Sequence, residues 1–338
     1  MNRISEFKEL TKALCEVYGP TGREYKAAAL IKEKLAPYAD EFRTDPMGNL
    51  TAIKRGTSGK KVMLSAHMDQ IGLIVLDIDD KGFIRFAPVG GIDPEATVLR
   101  EVVFENGVRG VIYHEERTLK GENPKLAQMF IDIGARTREE AEAHVSVGDI
   151  CTYAPHFVDM GSRVSCGALD DRICCAVVIE AMKSISSPHD IYAVFTVQEE
   201  VGLRGATAAA YSVHPDFSIN LDVTASCDTP ECEYMPMRMG EGPTIKFMDR
   251  SAVFTRPVID FMKRVAEKCG VKVQNEVLRY GGTDSGAIQP MLGGIPAACV
   301  SVPTRYIHSP VETADIEDCL GAAEFVKAMA EESELPTA

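Results

Sequence analysis

Two glutamates stand side by side at the end of an apolar run, Glu199 and Glu200 in FTVQEEVGLRG (residues 195–205). One carboxylate at a strand tip is ordinary solvated charge. Two adjacent ones behind a buried-looking segment need a partner or a task. Other acids and imidazoles recur in the same relation to apolar runs. His67 and Asp69 follow KVMLSA, Asp222 follows SINL, and His308 comes a short loop after AACVSV. Asp170 and Asp171 open a helix-like stretch in GALDDR. Taken singly, each has a plain structural explanation, such as a hydrogen-bonded HxD pair or an Asp-Asp helix cap with favourable dipole charge. Their recurrence at one kind of position, in order along the chain, is what calls for chemistry.

Crowded carboxylates raise one another's pKa and cost stability unless cations share the site. Divalent ions supply that charge. Imidazole and carboxylate donors without thiolate suit zinc first, with cobalt and manganese as alternatives. Two histidines and three acids exceed one four-coordinate shell and fit two ions that share a bridging carboxylate. Thiol chemistry is not indicated. The cysteines form no CxxC pair, and several lie in apolar runs such as CCAVVIEAM. They read mainly as reduced, buried residues of a cytoplasmic protein.

A site gathered from distant segments needs a scaffold that brings strand ends together. After Cys166 the chain alternates helices and strands. DDRICCAVVIEAMKSI, RGATAAAYSV, RPVIDFMKRVAEKCG and TADIEDCLGAAEFVKAMAEE have helical spacing, whereas IYAVFTVQ, FSINLDV and IPAACVSV read as strands. Two helices and the strands MGNLTAIKRG and KKVMLSAHMD precede. This rhythm predicts βαβ units, which place ligand crevices at the carboxyl ends of the strands. Between Gln70 and Val164 the texture changes to short β pieces separated by turn signals such as Asn106-Gly107. The expected architecture is α/β: a mostly parallel mixed sheet flanked by helices, with a small β-barrel or sandwich inserted. Residues 1–69 and 165–338 form the catalytic domain and 70–164 the insertion. GGTDSGAI (281–288) reads as a turn capped by Thr283 or Asp284 at a helix start.

The 338 residues carry 36 basic and 50 acidic side chains, a formal charge of −14. That balance argues against nucleic acid and against anionic membranes as partners. No stretch reaches the roughly 18 apolar residues of a membrane span. The start of the chain lacks an apolar h-region, which argues against a secretory signal.

SAHMDQIG, GALDDRICCA, TVQEEVGLRGA, LDVT, GGTDSGAI and RYIHSPVE together resemble the motifs of the M42 family of metallo-aminopeptidases, the glutamyl and tetrahedral aminopeptidase group once also labelled cellulase M. The resemblance covers nearly the whole chain. It implies a two-metal catalytic domain with an inserted PDZ-like β domain used for dimerisation. It implies that Asp170 bridges the metals, that His67 and Asp222 complete one site, and that Glu200 and His308 complete the other. Glu199 would be the general base acting on a metal-bridging water, and Asp69 would orient His67. It further implies peptide substrates with a free N-terminus and a homo-oligomer built from dimers, up to a dodecamer. GGTDSGAI would lie near the site without a catalytic role.

Two other readings stand beside this one. A dinuclear hydrolase could act on another amide or, as the old cellulase label has it, a glycosidic bond. Glycosidases work with a carboxylate pair and no metal, so chelation separates the two. A non-catalytic scaffold would be marked by loss of Glu199 or of a ligand, and none is missing.

Overall fold

The computed structural model describes residues 2–115, 125–232 and 235–337. In chain order, helices α1 (Arg3–Glu16) and α2 (Tyr25–Leu35) precede strands β1 (Glu41–Thr44), β2 (Leu50–Lys54) and β3 (Lys61–His67). A run of short elements follows: β4 (Gly72–Ile78), β5 (Ile84–Val89), α3 (Pro94–Thr97), β6 (Glu101–Phe104), β7 (Arg109–His114), β8 (Met129–Asp132), α4 (Arg138–Glu142), β9 (Ile150–Tyr153), β10 (Val158–Asp159) and β11 (Arg163–Ser165). Then come α5 (Leu169–Met182), β12 (Asp190–Thr196), α6 (Arg204–Val213), β13 (Phe217–Ala225), β14 (Thr244–Met248) and α7 (Arg256–Cys269). The last are β15 (Gln274–Val277), α8 (Asp284–Ile288), β16 (Ala297–Arg305), β17 (Thr313–Asp315) and α9 (Ile316–Glu331).

The strands sort into two bodies. An 11-stranded sheet has the path β1-β2-β12-β3-β13-β16-β17-β11-β10, with β14 and β15 attached at β16. Its centre, β12-β3-β13-β16, is parallel. Antiparallel strands extend it on both sides. The second body is a closed antiparallel barrel, β4-β5-β8-β7-β6-β9, which leaves no free strand edge.

Side-chain alternation in the central strands explains why helices cover both faces. In β12, Ile191, Ala193 and Phe195 join the large core under α1, α5, α7 and α9. Tyr192 and Val194 point the other way, into a smaller core with Ala206, Ala210 and Val213 of α6 and Ile288 of α8. α5 is the central helix of the large core, and every residue in it is buried. α7 packs on the same face by the spacing Val258, Phe261, Met262 and Val265. The barrel has its own core, including Leu73, Val75, Ile84, Val102, Ile112 and Ile131.

Several details differ from the sequence reading. β1, β14 and β15 were not foreseen, being short and half-polar. The residues TAD that were expected to open the last helix form β17, and Asp315 caps α9 by accepting from the Glu317 N–H. Thr283 precedes α8 but its side chain makes no capping bond; its hydroxyl donates to Asp249 Oδ2 at 2.9 Å. The cysteines are not all free. Cys227 and Cys232 form a disulfide across a short loop, with Cα atoms 5.3 Å apart, inside the range a bridge spans. Their spacing matches no recognised motif. Of the eight free cysteines, all but Cys269 are buried. Among the described residues no helix is long and apolar enough to cross a membrane.

Candidate metal centre

The parallel centre of the sheet delivers the polar residues to one edge. His67 is the last residue of β3, and β12 ends at Thr196, three residues before Glu199. β13 pairs with β3 only through Phe217–Asn220, whereas its pairing with β16 continues to Ala225. Beyond Asn220 the two strands part. Asp222, still inside β13, borders the opening. His308 follows β16 by a short loop, at φ +63°.

Adjacent residues of an extended strand face opposite ways, so Glu199 and Glu200 can share a site only where the strand has ended. Gln198 (φ +55°) and Gly202 (φ +115°) turn the chain there. Gly205 locks the turn. A Cβ on it would lie 2.4 Å from both Asn49 Oδ1 and the Val197 carbonyl. In the space left free, Asn49 accepts from the Val197 N–H at 2.9 Å and donates to the Gly205 carbonyl at 2.9 Å.

All the expected residues except Asp69 line one open cavity of about 700 Å³: His67, Asp170, Glu199, Glu200, Asp222 and His308. Asp170 sits between the imidazoles. Its Oδ1 is 3.1 Å from His67 Nε2 and its Oδ2 is 3.3 Å from His308 Nε2. Glu200 Oε2 lies 3.2 Å from His308 Nε2, and Glu199 Oε2 3.9 Å from His67 Nε2. Donor atoms converge in two groups, His67–Asp170–Glu200 and His67–Asp171–Asp222, each within 4.8 Å.

Asp69 lies behind the cavity, fully buried. It sits 3.4 Å from His67 Nδ1 and accepts from the N–H groups of Glu199 (3.0 Å) and Glu200 (3.3 Å) and from the Thr21 hydroxyl (2.8 Å). One carboxylate thus fixes an imidazole and the loop that carries both glutamates.

Two residues of this neighbourhood had no role in the sequence reading, Asp171, named only beside Asp170, and Arg172. Asp171 accepts from the His67 N–H with Oδ2 (3.2 Å), while its buried Oδ1 has no partner. It could be found only as the neighbour of Asp170. Arg172, fully buried, donates to the carbonyls of Met68, Leu14 and Gly19 at 2.5, 2.8 and 2.9 Å. A lone cation heading the all-apolar run ICCAVVI was the available signal.

The electrostatics ask for positive charge. Burial, then the neighbouring charges of Asp222, Glu200 and Asp284, push the Glu199 carboxyl well above the usual range. Burial and Asp170 do the same to Asp222. Burial alone would lower His308, but Asp170 and Glu200 outweigh it and raise the imidazole to about 12. His67 is also raised against burial, by Glu199, Asp170 and Asp69. Both imidazoles are thus drawn toward the charged form by carboxylates that need positive charge beside them. This donor set, the unpartnered Asp171 oxygen and the crowding of acids all fit divalent cations.

Comparison with known proteins places the chain in a family. The sequence model of the M42 glutamyl aminopeptidase family matches residues 48–325. The lysyl aminopeptidase of Pyrococcus furiosus is 36% identical over 338 residues, covering 96% of each chain. The solved structure of an aminopeptidase from the archaeon Desulfurococcus kamchatkensis superposes with a TM-score of 0.94 at 34% identity, covering 98% of this chain and 96% of that one. The TET1 peptidase of Pyrococcus horikoshii, described as assembling into a tetrahedron or a large octahedral shell, superposes at 0.87 with 32% identity, covering 96% and 99%. By family match, identity and architecture together, the chain belongs to the M42 family of aminopeptidases, hydrolases of the peptide bond.

Proposed function

We propose that the protein is a dinuclear metal-dependent aminopeptidase, with Asp170 bridging two cations, His67 and Asp222 completing one position, and Glu200 and His308 the other. The observation that carries this reading is the placement of the two Asp170 oxygens against two different imidazoles. Bound there, two divalent cations would supply the charge that acidifies a water and polarises the scissile carbonyl. Zinc suits the donors first, then cobalt or manganese.

Glu199 is the general base. It lines the cavity and makes no contact under 3.5 Å with either imidazole among the ion pairs of the site, so it is left to move protons. It takes the proton of the attacking water and hands it to the leaving amine. Asp69 keeps the His67 ring and the Glu199 backbone in register. The substrate's free α-amino group is received at the acidic side of the cavity, and an internal peptide bond offers no such group. Glycoside hydrolysis needs two carboxylates free for acid and base work, and the acids here are grouped with imidazoles.

Residues 70–164 act as a dimerisation domain, as the family resemblance implies, and assembly into larger shells is supported by likeness to the TET1 peptidase, described as forming a tetrahedron or a large octahedral shell. The compartment is the cytoplasm. The test is an aminoacyl-peptide panel, free and N-acetylated, assayed on metal-stripped protein reconstituted with zinc, cobalt or manganese. Cleavage of free but not acetylated peptides is expected. Equal cleavage of both would refute the aminopeptidase reading.

A further inference from the structure

Between the bridging residue and the second imidazole lies a carboxylate with no role so far. Glu312 is 1% exposed. Its Oε2 accepts from the Asp170 N–H at 2.9 Å, and its Oε1 from the His308 N–H at 2.8 Å. Its own carbonyl accepts from the Cys166 N–H at 3.0 Å. One side chain therefore ties the start of α5 to the loop after β16, segments 138 residues apart in sequence (308 − 170), each carrying a proposed ligand.

Both segments need such a tie. His308 has φ +63° and Ala168, two residues before Asp170, has φ +64°. Residues with a Cβ adopt this left-handed backbone only where the surroundings hold them. The His308 loop has no strand to align it, because β16 has ended at Arg305 and β17 begins only at Thr313. The imidazole is confined from the other side by the barrel: a Cβ on Gly91 would lie 2.6 Å from His308 Nδ1. The backbone of His308 is thus set by Glu312, and its ring packs against the Gly91 loop.

We infer that Glu312 is a positioning residue for the metal centre, fixing the spacing between the bridging Asp170 and His308 by holding both main-chain N–H groups with one carboxylate. This rests on the proposed roles of Asp170 and His308 as ligands. Hydrogen-bond partners of ligating groups commonly set metal affinity by roughly 10–100-fold. Here the partner acts on the backbone, so it sets where the donor atoms sit and contributes no ligand atom.

The protein contains its own control. Asp318, also buried, accepts two backbone N–H bonds in the same way, from Gly240 and Gly242 at 2.7 Å each. Glu312→Gln, Glu312→Asp, Asp318→Asn and His308→Ala would be prepared in the full chain. Metal stoichiometry would be read by elemental analysis, and zinc dissociation constants by competition with a chromogenic chelator. Circular dichroism and urea midpoints would follow folding. Glu312→Gln presents an amide N–H to one of the two donors, and is expected to weaken the more labile zinc by roughly 10–100-fold. Asp318→Asn is expected to lower the urea midpoint without moving either zinc constant. Glu312→Asp keeps the charge on a shorter arm, so a role by charge alone predicts wild-type affinity and positioning predicts a loss. It also serves if Glu312→Gln does not fold. Wild-type zinc constants in both Glu312 variants, or losses matched by Asp318→Asn, would overturn the inference. Retention of two zincs by His308→Ala would instead refute the ligand assignment beneath it.

Discussion

In the proposed mechanism Glu199 and Glu200, neighbours in sequence, have opposite tasks, and single substitutions separate them. Glu199→Gln keeps the shape and removes the base, so turnover should fall by at least ~10²-fold while elemental analysis still finds two metals per chain. His67→Ala should lose metal as well as activity, since the ring stands in both donor groups. Sequence made these residues legible because each polar group interrupts or closes an apolar run, where solvation alone does not explain it. Asp171 was named with Asp170 but given no role of its own, since it stands beside an equivalent carboxylate, and Glu312 closed the quoted RYIHSPVE without a role, since its bonds go to main-chain N–H groups that carry no sequence signal.

At the level of elements, the site is held by buried ionic groups that bind backbone. Arg172 joins α5 to the end of β3 and to the segment after α1. Arg172→Leu strands those carbonyls, so a loss of about 3–5 kcal/mol is expected, read as a lower urea midpoint at unchanged slope. Lys246 of β14 and Glu276 of β15 are both fully buried and paired at 2.5 Å, and Glu276 also accepts from the Thr224 hydroxyl of β13 at 2.8 Å. Either member exchanged alone leaves an unpaired charge, whereas a joint exchange to apolar residues should recover most of the loss.

The pair Arg305–Asp228 gives a pH prediction. It fastens the end of β16 to the loop of the disulfide through two bonds of 2.7 Å. Burial raises the Asp228 carboxyl, but Arg305 outweighs it and holds the group at about 2. An unfolded aspartate titrates near ~4. The pair's contribution is therefore complete above about pH 4 and is lost as pH falls through about 2. Asp228→Asn should cost about 1 kcal/mol at pH 7, and its melting curve should approach wild type as pH drops toward 2. Helices and central strands were legible from period and apolar length. Short edge strands such as β1 and β15 were not, because half-polar segments of four residues owe their shape to the neighbour they pair with.

For the whole molecule, chelation should abolish hydrolysis, and divalent cations should restore it. Light scattering should return a multiple of 36.8 kDa if dimers form. A β-barrel inserted in an α/β body was readable from the change of texture after Gln70, although β10 and β11, inside or at the edge of the segment read as insertion, pair into the 11-stranded sheet. How the two bodies meet was not readable, since the touch of Gly91 on His308 joins loops with no shared pattern. The insertion also has a consequence in time. β3 pairs with β12 and β13, yet the entire barrel is translated between β3 and β12. The barrel closes within one continuous stretch, its widest pairing being Leu73 with Cys151, whereas β3 must pair His67 with Thr196 of β12 and Ser65 with Asn220 of β13 across the whole insertion, and distant pairings form late. The barrel's amides should therefore gain protection first in pulse-labelled refolding. With His308 as a proposed ligand on the loop after β16, a ribosome-bound chain is expected to cleave no peptide before that loop has emerged.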